Sequence, residues 1–540
     1  MIFPSGYLRR CLSLLPALVL SFSLLHCGAE RAASATRENV VRMHLASDPA
    51  SVTLIGKTDL NSEIIGMRLT DALVQYDSSM QLQPLLAERW ELSSDSRQLT
   101  FHLRPNVRWH DGRSVSAADV LFTINKLREP ETENRTWAPE LKTLIDLQAP
   151  DELTVVATFS DSNPDRLQPW RVPILPAHMF EDEEDFFNGS YASSPIGCGP
   201  FRFVRYVRGQ EIVLEANDDY WAGRPQIDRL EFKIYTDQQT AYQALHTGEL
   251  DVMTMSGNLW TEGREADQAG RFSWTQYRRF TAWTLGWNQR ADSPFSDARV
   301  RIAMVLALDR ESFLREVTHG MAHLGATVFP PASPWADESI SPYPYDPERA
   351  SELLTEAGWV DEDGDGIREK DGTALSFTLL VPTSSQQLTE WLAAWQQDAW
   401  RALGADVEFE QIEWQTFRER RKAGRFGVAA QSFHFSSPDM YPLLHSSEME
   451  SGLNYWGVND PQLDSGLERI RTTLDPTERL QVMFEVQRRL HESEPITALF
   501  FFDSPLAFDH RLQGVSPAPL GYANTIDGPR HWSWSTLELD

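Results

Sequence analysis

One stretch of the sequence decides the fold: Ala87–Leu127, AERWELSSDSRQLTFHLRPNVRWHDGRSVSAADVLFTINKL. Its alternating apolar residues predict short strands at residues 100–103 and 107–109. A tight turn at His110-Asp111-Gly112 should follow, because glycine readily adopts the positive φ that such turns need. The stretch therefore predicts paired strands that lead directly into a helix.

The second half of this stretch predicts a capped helix. Ser116 is a suitable N-cap, and Asp119, three residues later, places an acid in the first helical turn. The helix should bury an apolar stripe, which consists of Val120, Leu121, Ile124 and Leu127. We interpret His110 and Asp111 as scaffold, since adjacent residues point in different directions and no third metal ligand lies near them in sequence.

Length and charge limit the class of protein. A chain of 540 residues exceeds what one hydrophobic core supports, so we expect two or three domains. The formal net charge of −29 argues against a phosphate-binding surface, so nucleic acid is not expected as a partner. No G-x-S-x-G or H-E-x-x-H motif is present, and we do not expect an enzyme.

The N-terminus is typical of a secreted protein. Arg9 and Arg10 precede the apolar run Leu12–Leu25, which is too short to span a bilayer comfortably. Cys27 follows in a sequence that looks like a lipoprotein cleavage box, whereas cleavage after Ala35 is the alternative. The pattern predicts a signal peptide over residues 1–26 and a tether over residues 27–39. It also predicts a periplasmic or cell-envelope protein with a lipid anchor.

Three further blocks carry identity together with the opening stretch. They are SPIGCGPFRFVRY at 194–206, LGWNQRADSPFSDARVR at 285–301 and YDPERASELLTEAGW at 345–359. In this order, the four blocks resemble the extracellular solute-binding proteins of family 5, the oligopeptide- and dipeptide-binding proteins of ABC importers. The resemblance extends from Met43 to Leu520.

The resemblance implies an α/β fold of the periplasmic binding protein-like II type, with two lobes, a hinge and three domains of cluster C. Crossings near residues 272 and 505 would form the hinge. The implied boundaries are 40–59 with 190–272 and 505–540 for domain I, 60–189 for domain II, and 273–504 for domain III.

The resemblance also implies a function. The protein would capture a peptide or peptide-like solute between its lobes and deliver it to an ABC permease in the inner membrane. It would act as a monomer, without a cofactor. A non-peptide solute such as an oligosaccharide, or a sensor role without transport, is the alternative.

Ligand contacts are expected around FHFSSPDM at 433–440, where this chain departs from the family's peptide binders. Those proteins hold the ligand's α-amino group with an aspartate, and the matching position here is Ser436. A buried ammonium group without a carboxylate is costly, which favours a neutral or capped ligand. The expected ligand-binding residues are Trp283, Asn288, Trp414, Phe433, His434, Phe435, Ser436, Asp439 and Trp456.

An acidic loop leaves two interpretations open. Asp361, Asp363 and Asp365 followed by a glycine match the start of a calcium-binding loop. The twelfth position is Gly372, where an EF-hand needs a bidentate glutamate. The main interpretation is a structural turn without a metal, and a weak calcium site is the alternative.

Overall fold

The computed structural model describes residues 39–52, 59–129, 141–180, 191, 194–316, 318, 320–331, 333–383, 386–435, 437–450 and 452–535. The predicted signal peptide, Cys27 and all but the last residue of the predicted tether lie outside these residues. Within them, no helix combines the length and apolar character that a membrane crossing requires.

Strands and helices follow one another along the chain, as in an α/β protein. The strands are β1 Val40–Leu45, β2 Val74–Tyr76, β3 Leu82–Pro84, β4 Ala87–Leu92, β5 Gln98–Leu103, β6 Leu144–Asp151, β7 Thr154–Phe159, β8 Phe201–Val207, β9 Glu211–Ala216, β10 Arg229–Ile234, β11 Val252–Thr254, β12 Phe272–Trp287, β13 Ala322–Leu324, β14 Glu369–Lys370, β15 Thr373–Ala374, β16 Ser376–Pro382, β17 Asp406–Ile412, β18 Val428–His434, β19 Ile496–Asp509, β20 Leu512–Gln513 and β21 Ser533–Trp534. The helices are α1 Leu60–Leu69, α2 Ala117–Arg128, α3 Gln238–Thr247, α4 Gly257–Ala266, α5 Ala298–Leu306, α6 Arg310–Glu316, α7 Pro347–Glu356, α8 Gln386–Trp395, α9 Trp414–Lys422, α10 Tyr441–Leu444, α11 Pro461–Thr472 and α12 Pro476–Ser493.

The largest sheet formed by the described residues has eleven strands. Its main path runs β17-β16-β18-β12-β19-β11-β1-β10-β9-β8, and β13 pairs with β19. Strand β1 is parallel to β10 and β11, and β16 is parallel to β17 and β18, whereas β12 is antiparallel to both of its neighbours. A separate antiparallel sheet has the order β4-β5-β7-β6.

Strands β12 and β19 have 16 and 14 residues and pair with each other along most of their length. At one end, Phe272 pairs with Asp509, next to β11. At the other end, Gly286 pairs with Ile496, next to β18. The pairing register shifts between Arg278 and Ala282, which is the mark of a β-bulge.

Separate hydrophobic cores lie on either side of this bulge. Two large clusters, one around Trp170 and one around Phe232, lie on the β11 side. Two others, around Trp287 and Phe435, lie on the β18 side. We call residues 39–275 and 506–535 the first lobe, and residues 282–501 the second lobe.

The strands of the opening stretch differ in part from the prediction. Strands β4 and β5 pair antiparallel, and the Phe101 ring lies 4.8 Å from the buried Trp170 ring. The predicted strand at 107–109 is wrong: Arg108 forms only an isolated bridge with Ser114. The chain reverses at once in the His110-Asp111-Gly112 turn, so no longer ladder can form.

The capped helix is confirmed, and so is the scaffold role of His110. Ser116 and Asp119 form a capping box at the start of α2. The His110 Nδ1 atom accepts a hydrogen bond from the Gly197 N–H at 3.1 Å, and Nε2 lies 3.1 Å from the Gly199 carbonyl oxygen. This histidine therefore ties the turn to the 197–199 loop of the first lobe.

Candidate ligand-binding cleft

A pocket in the second lobe, which we call the aromatic pocket, lies over the end of β18. It encloses about 860 Å³, part of it open to solvent. Its lining consists of Trp414, Arg418, Arg421, Gln431, Ser432, Phe433, His434, Leu443, Leu453, Tyr455 and Trp456. Four of the expected ligand-binding residues, Trp414, Phe433, His434 and Trp456, therefore meet in one pocket.

The lack of a side chain at Gly286 lets the Trp456 ring pack against β12 at the base of this pocket. A Cβ atom at Gly286 would lie 2.0 Å from a ring carbon of Trp456, so only glycine fits at this position of β12. The Trp456 ring is buried, and its Nε1 makes no hydrogen bond with any described residue. The opposite wall is more open, because Trp414 stacks on Phe417 with the ring centroids 5.6 Å apart and remains 42% exposed.

Arg421 brings positive charge to the aromatic pocket. Its guanidinium carbon lies 4.6 Å from the Tyr455 ring centroid and 5.5 Å from that of Trp456, which is cation–π geometry. Its Nη1 donates to the Oε1 of Gln431. Aromatic faces and a planar cation together suit a ligand with apolar and anionic groups.

His434 supplies a neutral imidazole to the cleft. Its Nδ1 lies 3.0 Å from the Thr281 Oγ1, which fixes the ring orientation. Desolvation by the surrounding protein, together with the positive charges of Arg279 and Arg171, lowers the pKa of His434 to about 4. The side chain is nevertheless exposed to solvent in the cleft. At neutral pH it can therefore donate or accept a hydrogen bond without carrying charge.

A second cavity, which we call the interlobe cavity, is bordered by both lobes and spans about 1140 Å³, part of it open to solvent. Residues 142–169 contribute one wall and residues 437–471 the other. Asp165 of the first lobe forms an ion pair with Arg479 on α12 of the second lobe, and its Oδ1 accepts from Nη1 at 3.1 Å. Lys142 lies 3.7 Å from Glu448 across the same boundary. Ion pairs therefore join the lobes at the edge of this cavity.

Asp439 lines the interlobe cavity but is held by its own lobe. Its carboxylate accepts from the Arg471 Nη2 at 2.7 Å and from Nε at 2.9 Å. It also accepts from the backbone N–H of Tyr441 at 3.1 Å, at the start of α10. The carboxylate thus orders the 437–444 segment.

The remaining expected site residues lie elsewhere. Trp283 packs against Phe502, with ring centroids 4.6 Å apart, at the second-lobe core. Asn288 is buried and donates from Nδ2 to the Phe426 carbonyl oxygen at 2.8 Å. Phe435 is buried in the other second-lobe cluster. None of the three is among the residues that border the two cavities, and Ser436 lies outside the described residues.

Sequence reasoning missed Arg421 and Gln431, two polar members of the aromatic pocket. Arg421 and Gln431 come from α9 and β18, and no single motif contains both. The signal available was the basic run Arg418–Lys422 next to Trp414. The same run is equally typical of an exposed helix face, so only the fold identifies it as part of a pocket.

The acidic loop lies outside both cavities. One carboxylate oxygen from each of Asp361, Asp363, Asp365 and Glu369 falls within 4.8 Å of the others. The Asp361 carboxylate accepts from the backbone N–H groups of Gly364 and Gly366 at 2.7 Å and 3.1 Å. These bonds shape the turn, and the four clustered carboxylates leave both the structural turn and the weak calcium site as open interpretations.

The family assignment follows from sequence comparison. The model of the bacterial extracellular solute-binding proteins, family 5 (middle), matches residues 81–454, which is more than half of the chain. The chain belongs to this family. Family 5 proteins bind solutes for ABC transporters outside the cytoplasm and are not enzymes, as the sequence motifs indicated.

Individual family 5 relatives bind chemically different solutes. The chain is 27% identical to the oligopeptide-binding protein AppA of Bacillus subtilis over 87% of this chain and 88% of AppA. It is 25% identical to the nickel-binding periplasmic protein of Escherichia coli K12, over 83% of this chain and 87% of that protein.

Solved structures confirm the fold. AppA from Bacillus subtilis in complex with a nonapeptide matches with a TM-score of 0.76 and 25% identity, over 92% of this chain and 99% of AppA. NikZ from Campylobacter jejuni in complex with Ni(L-His) matches with a TM-score of 0.76 and 23% identity, over 92% of this chain and 99% of NikZ. The fold is therefore the α/β fold of cluster C solute-binding proteins.

Proposed function

We propose that this protein captures a peptide or peptide-like solute between its two lobes and delivers it to an ABC permease. One observation carries the proposal: the interlobe cavity has one wall from residues 142–169 and the other from residues 437–471. A ligand in such a cavity contacts both lobes and so favours the closed state over the open one. The nonapeptide complex of AppA supports a peptide as the solute.

The aromatic pocket extends this site within the second lobe. Tyr441 and Pro442 border the interlobe cavity, and the next residue, Leu443, borders the aromatic pocket. A ligand that spans both spaces would place one group among charged residues and another among aromatic rings. Trp414 and Phe433 would contact the second group, while His434 would contribute a hydrogen bond.

Closure would occur by bending of β12 and β19 near the bulge between Arg278 and Ala282. The proposed receptor is a monomer with three domains. Their proposed boundaries are 40–59 with 190–272 and 505–540, 60–189, and 273–504. A lipid on Cys27 would hold the receptor at the membrane that contains its permease.

A non-peptide solute is the second candidate. It is favoured by Ser436, which stands where the family's peptide binders have an aspartate. The nickel-binding relative supports a family site that accepts solutes other than peptides.

Native mass spectrometry of protein purified from its source would identify the solute. A bound peptide mass, lost on partial unfolding, is the expected result. Recovery of a sugar or a metal chelate, with no binding of tri-, tetra- or penta-alanine in calorimetry, would overturn the peptide proposal. A larger precursor after inhibition of lipoprotein signal peptidase would support the lipid anchor. In Cys27→Ala, the inhibitor should then leave the size of the protein unchanged.

A further inference from the structure

Four titratable side chains, one of them His434 of the aromatic pocket, lie where the two lobes meet. Glu63 comes from α1, Arg171 from the short helix Gln168–Arg171, Arg279 from β12 and His434 from β18. We call these four residues the junction cluster. The first two belong to the first lobe, His434 belongs to the second, and Arg279 lies in the β12 segment between them.

Contacts between neighbouring residues hold the cluster together. The Arg171 guanidinium carbon lies 4.4 Å from the Tyr76 ring centroid, and Tyr76 packs with Phe280, the residue after Arg279. On the same stretch of β12, Thr281 pairs with His434 in register. Arg279 is therefore two residues from Thr281, the partner of His434 in the strand pairing. It also precedes Phe280, which packs with the Tyr76 ring that Arg171 contacts.

Helix α1 brings Glu63 to the same place. Glu63 and Met67 are one turn apart and share a helix face. The Met67 sulfur accepts from the Gln75 Nε2 at 3.6 Å, and Gln75 precedes Tyr76. Burial raises the pKa of Glu63, and the positive charges of Arg171 and Arg279 lower it in part. The same two arginines act on His434, so all four groups share one electrostatic environment.

Two members of the cluster lack a direct partner among the described residues. The Glu63 carboxylate and the Arg279 guanidinium are both half-buried. Within the described ranges, neither side chain forms a hydrogen bond or an ion pair. Partial burial of a charge without a partner costs free energy, and a ligand group of opposite charge would recover it.

We propose that Glu63 and Arg279 bind the two opposite charges of a zwitterionic ligand, with the ammonium group on Glu63 and the carboxylate on Arg279. This inference rests on the proposed function, because it places that ligand between the lobes. It also gives the amine a carboxylate from the first lobe, where Ser436 of the second lobe offers none. The ligand class is then a peptide or amino-acid derivative with both charges free.

Calorimetry with tri-, tetra- and penta-alanine tests this assignment. Each peptide is compared with its N-acetylated form and with its C-terminal amide. Glu63→Gln should weaken binding of the free peptides about 30-fold and leave binding of the N-acetylated peptides unchanged. Arg279→Gln should weaken the free peptides by a similar factor and leave the amides unchanged.

Matched controls separate this effect from general loss of charge. Arg208→Gln changes an exposed arginine in the turn between β8 and β9, and Glu265→Gln changes an exposed acid at the end of α4; both should bind like the wild type. Circular dichroism establishes that all variants are folded.

The outcomes distinguish the two proposals. If Glu63→Gln and Arg279→Gln bind every peptide as the wild type does, the junction cluster is not the ligand-charge site, and the proposed function stands. If capping either end of the peptide leaves wild-type affinity unchanged, the inference is overturned as well. If the wild type binds none of the peptides, this inference fails, and the solute found by native mass spectrometry decides the proposed function separately.

Discussion

The four-stranded sheet of the first lobe and the aromatic pocket of the second lobe both depend on tryptophan, but in different ways. Trp170 is fully buried and touches Phe101, whereas Trp414 is 42% exposed and borders an open pocket. The sheet region is assembled from residues that are mostly close in sequence. The pocket brings together α9, β18 and the 453–456 loop. Local order thus builds the scaffold, and long-range packing builds the site.

Replacement of these two tryptophans should separate stability from binding. Trp170→Ala should lower the free energy of unfolding of the first lobe by about 4 kcal/mol, because it leaves a cavity in a closed core. Trp414→Ala should change stability by less than about 0.5 kcal/mol. It should weaken solute binding about tenfold through loss of an aromatic contact. Urea unfolding and calorimetry measure both quantities, and a large stability loss in Trp414→Ala would remove the distinction.

Gly286→Ala should show that the pocket also depends on close packing. The new methyl group would overlap the Trp456 ring and should cost about 2 kcal/mol of stability. In a Trp456→Leu background, the same change should cost much less, because the obstructing ring is gone. Thermal unfolding of the two single variants and the double variant gives the coupling energy. Equal costs in both backgrounds would show that the strain lies in the backbone instead.

The same contrast explains what the sequence could predict. The opening stretch indicated the α2 cap, because the cap depends on nearby residues, whereas the contacts of His110 with Gly197 and Gly199 form only in the fold. It gave a wrong strand at 107–109, where the turn leaves no room for a ladder. The family motif at 433–440 led to Phe433 and His434, and the separate expectation that tryptophans line the cleft led to Trp414 and Trp456. Glu63 and Arg279 were missed, because they meet only after the lobes pack and share no motif.

Two histidines with lowered pKa values, His110 and His434, extend the comparison to the pH dependence of stability. Burial lowers the pKa of His110 to about 4 from its ordinary value of 6.5, and Arg202 contributes. The unfolded chain therefore takes up a proton near pH 6.5, and the folded protein does so only near pH 4. Stability should be fully present above pH 6.5 and fall as the pH drops toward 4.

His110→Gln should flatten this dependence. Between pH 7 and pH 4.5, the variant should lose about 1 kcal/mol less stability than the wild type, after allowance for partial exposure of the ring. His434, which also has a pKa of about 4, contributes equally to both proteins, so the difference isolates His110. Urea unfolding at several pH values measures it, and parallel curves would contradict the assignment.

The smallest expected effect concerns the boundary between the lobes. Asp165→Asn removes the ion pair with Arg479 and should favour the open state, since that pair joins the lobes directly. Solute affinity should fall about fivefold, and the radius of gyration without solute should increase. Glu448→Gln, which breaks the longer contact with Lys142 at 3.7 Å, is the matched control and should change affinity less. If Asp165→Asn leaves both the scattering profile and the affinity unchanged, the ion pair does not govern closure, and the junction cluster at the lobe boundary becomes the region to test for that role.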